Sequence, residues 1–186
     1  MSTIKPFADF KLHQAADSAV IEKYTNVLPN ALINIWKEYG FGTFAKGFLK
    51  TINPDEYQEL LNETYMSDSN PIPIFATALG DIIVFREDFD VFIVYYRRGK
   101  DCIVYSAETF FNVLTNTNTY KNALFWGDYI EAVAEYGTIP EYDECYGFVP
   151  LLGLGGKRKV ENMQIVKIKE HIMLIKEMVG VIQSDV

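Results

Sequence analysis

The sequence predicts an α+β fold: a central, mainly antiparallel sheet flanked by helices, followed by a mostly helical C-terminal part. Apolar residues recur at helical spacing up to about residue 65, at strand spacing from Pro73 to Tyr105, and at helical spacing again beyond Leu124. The strand-like runs are joined by only a few residues. Connections that short leave no room for a crossover, so neighbouring strands must run antiparallel. With 49% apolar and 23% charged residues in 186, the chain has material for a proper core and is not of disordered composition.

The first helical pattern covers 17–25 and is modest. A clearer helix opens at Leu28-Pro29-Asn30, with proline in the first turn, where its missing N–H does no harm. Leu32, Ile35, Trp36 and Tyr39 follow at helical spacing, and Gly40 is a natural left-handed stop. Phe44, Phe48 and Leu49 mark a short strand or turn among glycines. Asn53-Pro54-Asp55-Glu56 is a strong helix start, combining a capping Asn, proline at the first position and an acid at the capping-box position. Tyr57, Leu60 and Leu61 supply that helix's apolar face.

The runs 74–79, 81–85, 91–96 and 102–105 are β-branched and aromatic. They are separated by Gly80, by the charged turn 86–90 and by Arg98-Gly99-Lys100, and they make a four-stranded meander. Ser106 caps a helix reaching Leu114. The polar stretch 115–119 is the expected boundary between domains 1–114 and 115–186. Beyond it 124–134 reads as helix, closed by Gly137. The last helix carries Ile168, Ile172, Ile175 and Val179 on one stripe and ends at Gly180.

Net charge is −8, which disfavours a nucleic-acid partner and favours a basic protein one, although an acidic surface also serves solubility alone. The opening residues lack the apolar run of a signal peptide, and no stretch approaches the ~20 apolar residues of a membrane span. Cys102, in a strand-like context, and Cys145, in a loop-like one, have no metal or redox spacing. They read as reduced thiols, so a cytoplasmic protein without membrane contact is expected.

Patterns that carry chemistry fail in turn. Gly153-Leu154-Gly155-Gly156-Lys157 is not a phosphate loop. Leu151 stands where the first glycine is needed, and Arg158 stands where Ser or Thr should meet magnesium. His13 and His171 lack a second ligand at metal spacing, because Glu170 lies on a different helix face from His171. No nucleophile elbow and no Cys–His–acid set is present. Glu141, Asp143 and Glu144 read as a solvated turn rather than an acid–base pair. The expectation is no catalysis, no cofactor and no metal.

One segment stands apart. Between Lys121 and Lys157 there is no Lys, Arg or His, while Asp128, Glu131, Glu135, Glu141, Asp143 and Glu144 alternate with Trp126, Tyr129, Tyr136, Tyr142 and Tyr146. Exposed rings with carboxylates suit a surface that meets a basic partner, since rings supply anchoring area and carboxylates steer the encounter. A solvated helix face followed by an acidic loop is the alternative. On the first reading Tyr142 and Tyr146 are the anchors, and Glu141, Asp143 and Glu144 are the steering charges.

The residues also carry a resemblance. Leu28-Pro29, the run Trp36-Lys37-Glu38-Tyr39-Gly40-Phe41-Gly42, Gly47-Phe48-Leu49, Asn53-Pro54-Asp55-Glu56-Tyr57 and Gly80-Asp81-Ile82 resemble the bacterial GAD-like domain. Tyr146-Gly147-Phe148-Val149-Pro150, Leu154-Gly155-Gly156 and Glu170-His171-Ile172 are similar to the C-terminal domain of immunity proteins that neutralise type VI secretion DNase effectors. The first pattern is also similar to the wider SUKH superfamily of toxin-immunity folds. The resemblance implies an immunity protein that binds and inhibits a cognate toxin, in particular a nuclease. It supplies no residue-level site. A regulatory or small-ligand-binding module of the same fold is the alternative.

Overall fold

The structure is a computed structural model that describes residues 7–87, 90–114 and 124–184. Its centre is a seven-stranded sheet built from β1 (Lys11–Gln14), β2 (Phe41–Phe44), β3 (Leu49–Thr51), β5 (Ile72–Thr77), β6 (Ile82–Phe85), β7 (Asp90–Tyr95) and β8 (Lys100–Ser106), in that spatial order. Every neighbouring pair in it is antiparallel. The expected meander is therefore present, extended by three N-terminal strands. Two of them are the β2–β3 hairpin, where a short strand or turn was expected. The third, β1, has all four residues exposed, so no apolar alternation announced it.

Helices cover both faces of the sheet. Strand alternation sends Phe75, Ile83 and Ile93 into one core with Tyr24 of α1 (Ser18–Tyr24), Trp36 of α2 (Asn30–Tyr39), Phe110 of α4 (Ala107–Leu114) and Tyr129 of α5 (Trp126–Tyr136). The alternate residues Ala76, Ile82, Val84, Phe92 and Val94 enter a second core. There they meet Tyr57 and Leu61 of α3 (Pro54–Thr64) and Ile168, Ile172 and Ile175 of α6 (Ile168–Val179). Burial on both faces explains why 82–85 and 91–95 read as continuous apolar runs. Both cores contain residues from either side of the 115–119 stretch, which itself lies outside the described residues, as do residues 88–89 of the charged turn.

Local signals act where they were read. The Asn53 side chain accepts a hydrogen bond from the Asp55 N–H at 3.1 Å, capping α3 with Pro54 behind it. Gly40 ends α2 at φ +74°, and a Cβ there would stand 2.6 Å from the Gln14 carbonyl. Glycine is required twice over, by dihedral and by space.

The C-terminal part keeps both expected helices and adds short strands that the sequence did not announce. Between α5 and α6 lies an antiparallel ribbon, β9 (Glu144–Phe148) with β10 (Met163–Lys167), and β11 (Ile182–Gln183) pairs in parallel with β4 (Tyr65–Met66). Gly147 inside β9 and the glycine-rich turn that follows obscured the ribbon. The glycine is there because a Cβ would lie 2.6 Å from the His171 ring. Cys145, placed by sequence in a loop, is a buried residue of β9, and neither it nor exposed Cys102 is in a disulfide.

Candidate functional site

The acidic loop 141–144 sits where α5 has ended and β9 begins, and it is held from beneath by the first half of the chain. Lys50 of β3 is fully buried, and its Nζ donates to the backbone carbonyls of both Glu141 and Glu144. The Tyr142 hydroxyl donates to the Thr51 carbonyl at 3.0 Å, and its ring stacks on His13 at 4.0 Å between centroids. Within the loop the Glu141 N–H donates to the Glu144 carboxylate at 3.1 Å, and the Ile168 N–H donates to the Asp143 carbonyl at 2.9 Å. These bonds tie the loop's backbone to β3, to α6 and to itself. Burial pushes the Lys50 ammonium down to about 8, opposed by Cys145, Asp143, Glu144 and Glu141 nearby.

The carboxylates of Glu141, Asp143 and Glu144 remain at the surface, but two of them have a partner. Lys167 lies 2.8 Å from Asp143 and 3.1 Å from Glu144. The Lys167 hydrogen bond holds the Asp143 carboxyl below its ordinary range. The Glu141 N–H, and then Lys167, do the same for Glu144. Three negative charges and one positive leave the loop acidic, in a fixed array.

The rings do not behave as a set of exposed anchors. Tyr146 is 1% exposed, packed against Tyr129 and Tyr136 with its hydroxyl donating to the Thr138 carbonyl. It is a core residue and not a reachable anchor, because β9 alternation turns Cys145 into one core and Tyr146 into the other. Tyr129 is fully buried against Phe48 and Trp126. Tyr142 is half-buried, and Tyr136 is exposed. Nor is Asp128 a free charge: Arg158 grips it through contacts of 2.7–3.2 Å, and Arg97 approaches at 3.5 Å. Arg97 reaches on to Asp81, fully buried at 3.1 Å, whose carboxyl burial pushes up to about 6 against the pull of Arg97 and Arg98. The segment empty of bases in sequence is thus supplied with them from elsewhere in space.

Residues 2–96 match the family model of the GAD-like domain. The chain belongs to the GAD-like domain family. Residues 105–179 of this GAD-like protein match a second family model, "T6SS immunity protein Tdi1, C-terminal". Helix α4, assigned by sequence to the first domain, falls within the second match. The similarity to the SUKH superfamily is not confirmed by these matches. The crystal structure of Atu4351 from Agrobacterium tumefaciens has the same fold, with a TM-score of 0.78 over 95% of this chain and 89% of that one, at 16% identity. No curated protein matches the chain in sequence.

In this GAD-like protein the acidic loop belongs to the Tdi1-type match, while Lys50 and Thr51, which fix it, belong to the GAD-like match. Sequence reading missed Lys50. The available signal was a lysine inside the apolar run Phe48-Leu49-Lys50-Thr51-Ile52, where a charge needs a built partner. Among the described residues no group of three or more His, Cys, Asp and Glu side chains is placed to hold a metal, and no helix is long and apolar enough to cross a membrane.

Proposed function

We propose that the protein binds a cognate type VI effector, a nuclease, in the cytoplasm of the producing cell and holds it inactive, with the 141–144 loop contacting a basic surface of that effector. The Tdi1-type match over residues 105–179 carries this reading. The geometry of the loop supports it. An inhibitor that leaves almost no active enzyme needs a dissociation constant on the order of nanomolar, or about −12 kcal/mol. Contact area alone does not reach that figure, and a rigid loop loses little conformational freedom on docking. Glu141, Asp143 and Glu144 face outward as the steering charges, and half-buried Tyr142 remains the one anchor of the original pair.

The test is co-expression with a type VI nuclease effector taken from the neighbouring genes, where such a gene is found. The wild-type protein is expected to co-purify with the effector and suppress its nuclease activity. Reversing Glu141, Asp143 and Glu144 to Lys is expected to slow association and weaken protection of cells. If the triple reversal protects as well as wild type and binds unchanged at low salt, the interface lies elsewhere. If wild-type protein neither binds nor protects, the immunity reading itself fails.

A further inference from the structure

A cavity of about 500 Å³ lies at the other end of β9 from the acidic loop. It is enclosed by the tight turn at 96–98, the turn at 152–154 and the C-terminal half of α6. Its wall is apolar, with Phe148, Ile175 and Val179 among the residues that form it. The wall is closely built where the turn meets the helix, since a Cβ on Gly153 would stand 2.7 Å from the Val179 side chain. Its charged lining is exclusively basic: Arg97, Arg98 and Lys100, with no carboxylate.

Two polar side chains on this lining are largely buried, and one of them holds an unmatched donor. His171 is only 6% exposed and makes no hydrogen bond with any described residue. The Arg97 side chain is also 6% exposed, and its Nε–H has no acceptor among the described residues although the guanidinium is ion-paired. A buried donor of this kind is normally matched, and the unmatched Arg97 Nε–H beside the His171 ring is a point where a ligand's acceptor can bind. Arg98 stacks on the Phe125 ring at 4.2 Å, and neither Arg98 nor Lys100 forms an ion pair with a described residue. Both leave positive charge at the cavity uncancelled by any carboxylate of its lining. An apolar pocket of this size with a few convergent polar groups is the usual form of a small-molecule site.

We propose that this cavity binds a small amphipathic carboxylate, its apolar chain against Phe148, Ile175 and Val179 and its carboxylate toward Arg97, Arg98 and His171. Nothing in the immunity role requires such a ligand, so this site stands apart from the acidic loop. It joins the 96–98 turn of the sheet to the C-terminal ribbon and helix, so occupancy ties those elements together and raises the unfolding temperature.

The probe is octanoate, compared with 1-octanol, which has the same chain and no charge. Titration calorimetry on the full chain is expected to show one saturable octanoate site, with a dissociation constant of about 1 mM or tighter for a ligand of this size. Octanol is expected to bind at least roughly tenfold more weakly, the share of one charge-assisted contact. At a tenfold excess over that constant, octanoate should raise the unfolding midpoint by roughly 3 °C. Val179→Trp, at a position 44% exposed, fills the cavity and is expected to abolish binding. The double variant Arg98→Ala/Lys100→Ala changes only exposed residues and is expected to weaken octanoate several-fold while leaving octanol unchanged. Equal affinity for octanol and octanoate overturns the proposal. So does unchanged octanoate binding in the double variant, or the absence of saturable binding in a folded wild-type protein.

Discussion

Lys50→Met isolates the device that shapes the acidic loop. Methionine keeps the length of the stem and removes the ammonium. Two donations from a charged group, to the Glu141 and Glu144 carbonyls, are lost, at about 1.5–3 kcal/mol each. Against this, the variant no longer holds a charge out of water. The fall of the ammonium from 10.5 to about 8 corresponds to about 3 kcal/mol. The two effects largely offset, so the net loss at pH 7 is expected to be about 0–3 kcal/mol, read from urea midpoints at constant m-value. The loop itself loses both internal tethers, so amide exchange at 141–146 should accelerate far more than global stability predicts.

The pH dependence gives the sharper measurement. A lysine depressed in the folded state binds its proton more tightly when unfolded, so between pH 8 and 10.5 the unfolded chain holds more protons. Stability from this group therefore rises with pH through that window, and the burial cost is fully present below it. Wild type should gain about 3 kcal/mol relative to Lys50→Met between pH 7.5 and 10.5, since every other titrating group is common to both. A difference that stays flat across this range refutes the burial argument. Unchanged exchange at 141–146 refutes the tethering argument.

Other consequences follow from the same contacts. Tyr146→Phe should cost about 1 kcal/mol through the lost Thr138 hydrogen bond, while Tyr146→Ala should cost about 3–5 kcal/mol through the cavity, both measured by denaturant titration. Asp81→Asn leaves the buried Arg97 guanidinium with Asp128, at 3.5 Å, as its remaining carboxylate partner. The pairing lost is offset by the cost, about 3 kcal/mol, of holding a buried carboxyl raised to about 6 in its ionised form at pH 7. The net loss is therefore expected to stay within about 2 kcal/mol, and a loss above about 4 kcal/mol refutes that offset. The Glu141, Asp143 and Glu144 reversal loses the exposed Asp143–Lys167 pair, the part-buried Glu144–Lys167 pair and the Glu141 N–H bond to Glu144, so it should cost about 1–3 kcal/mol of stability. Loss of effector binding in the folded variant then reports the interface, and its association rate should fall less steeply with salt than that of wild type, or rise, because attraction has been replaced by repulsion that salt screens.

Much of the architecture was determined by sequence alone. Period switching marked the meander, because a strand buried on both faces must be apolar at every position, as 82–85 and 91–95 are. Asn53-Pro54 and Gly40 marked helix ends, because capping and left-handed dihedrals are local properties of single residues. Motif residues in both halves pointed to the two families. Only the tertiary structure decided the fate of the acidic–aromatic segment. Composition cannot tell a ring in the core from a ring at the surface when the two stand four positions apart, and β9 turned Tyr146 inward while the loop before it left Tyr142 half-exposed. Nor can it show charge balance across space. Arg97, Arg158 and Lys167 lie outside the segment in sequence, yet each carries an ion pair with one of its acids. Lys50 supplies the clearest case: 91 residues separate it from Glu141, and only the packing of the ribbon against the sheet puts its ammonium beneath the loop.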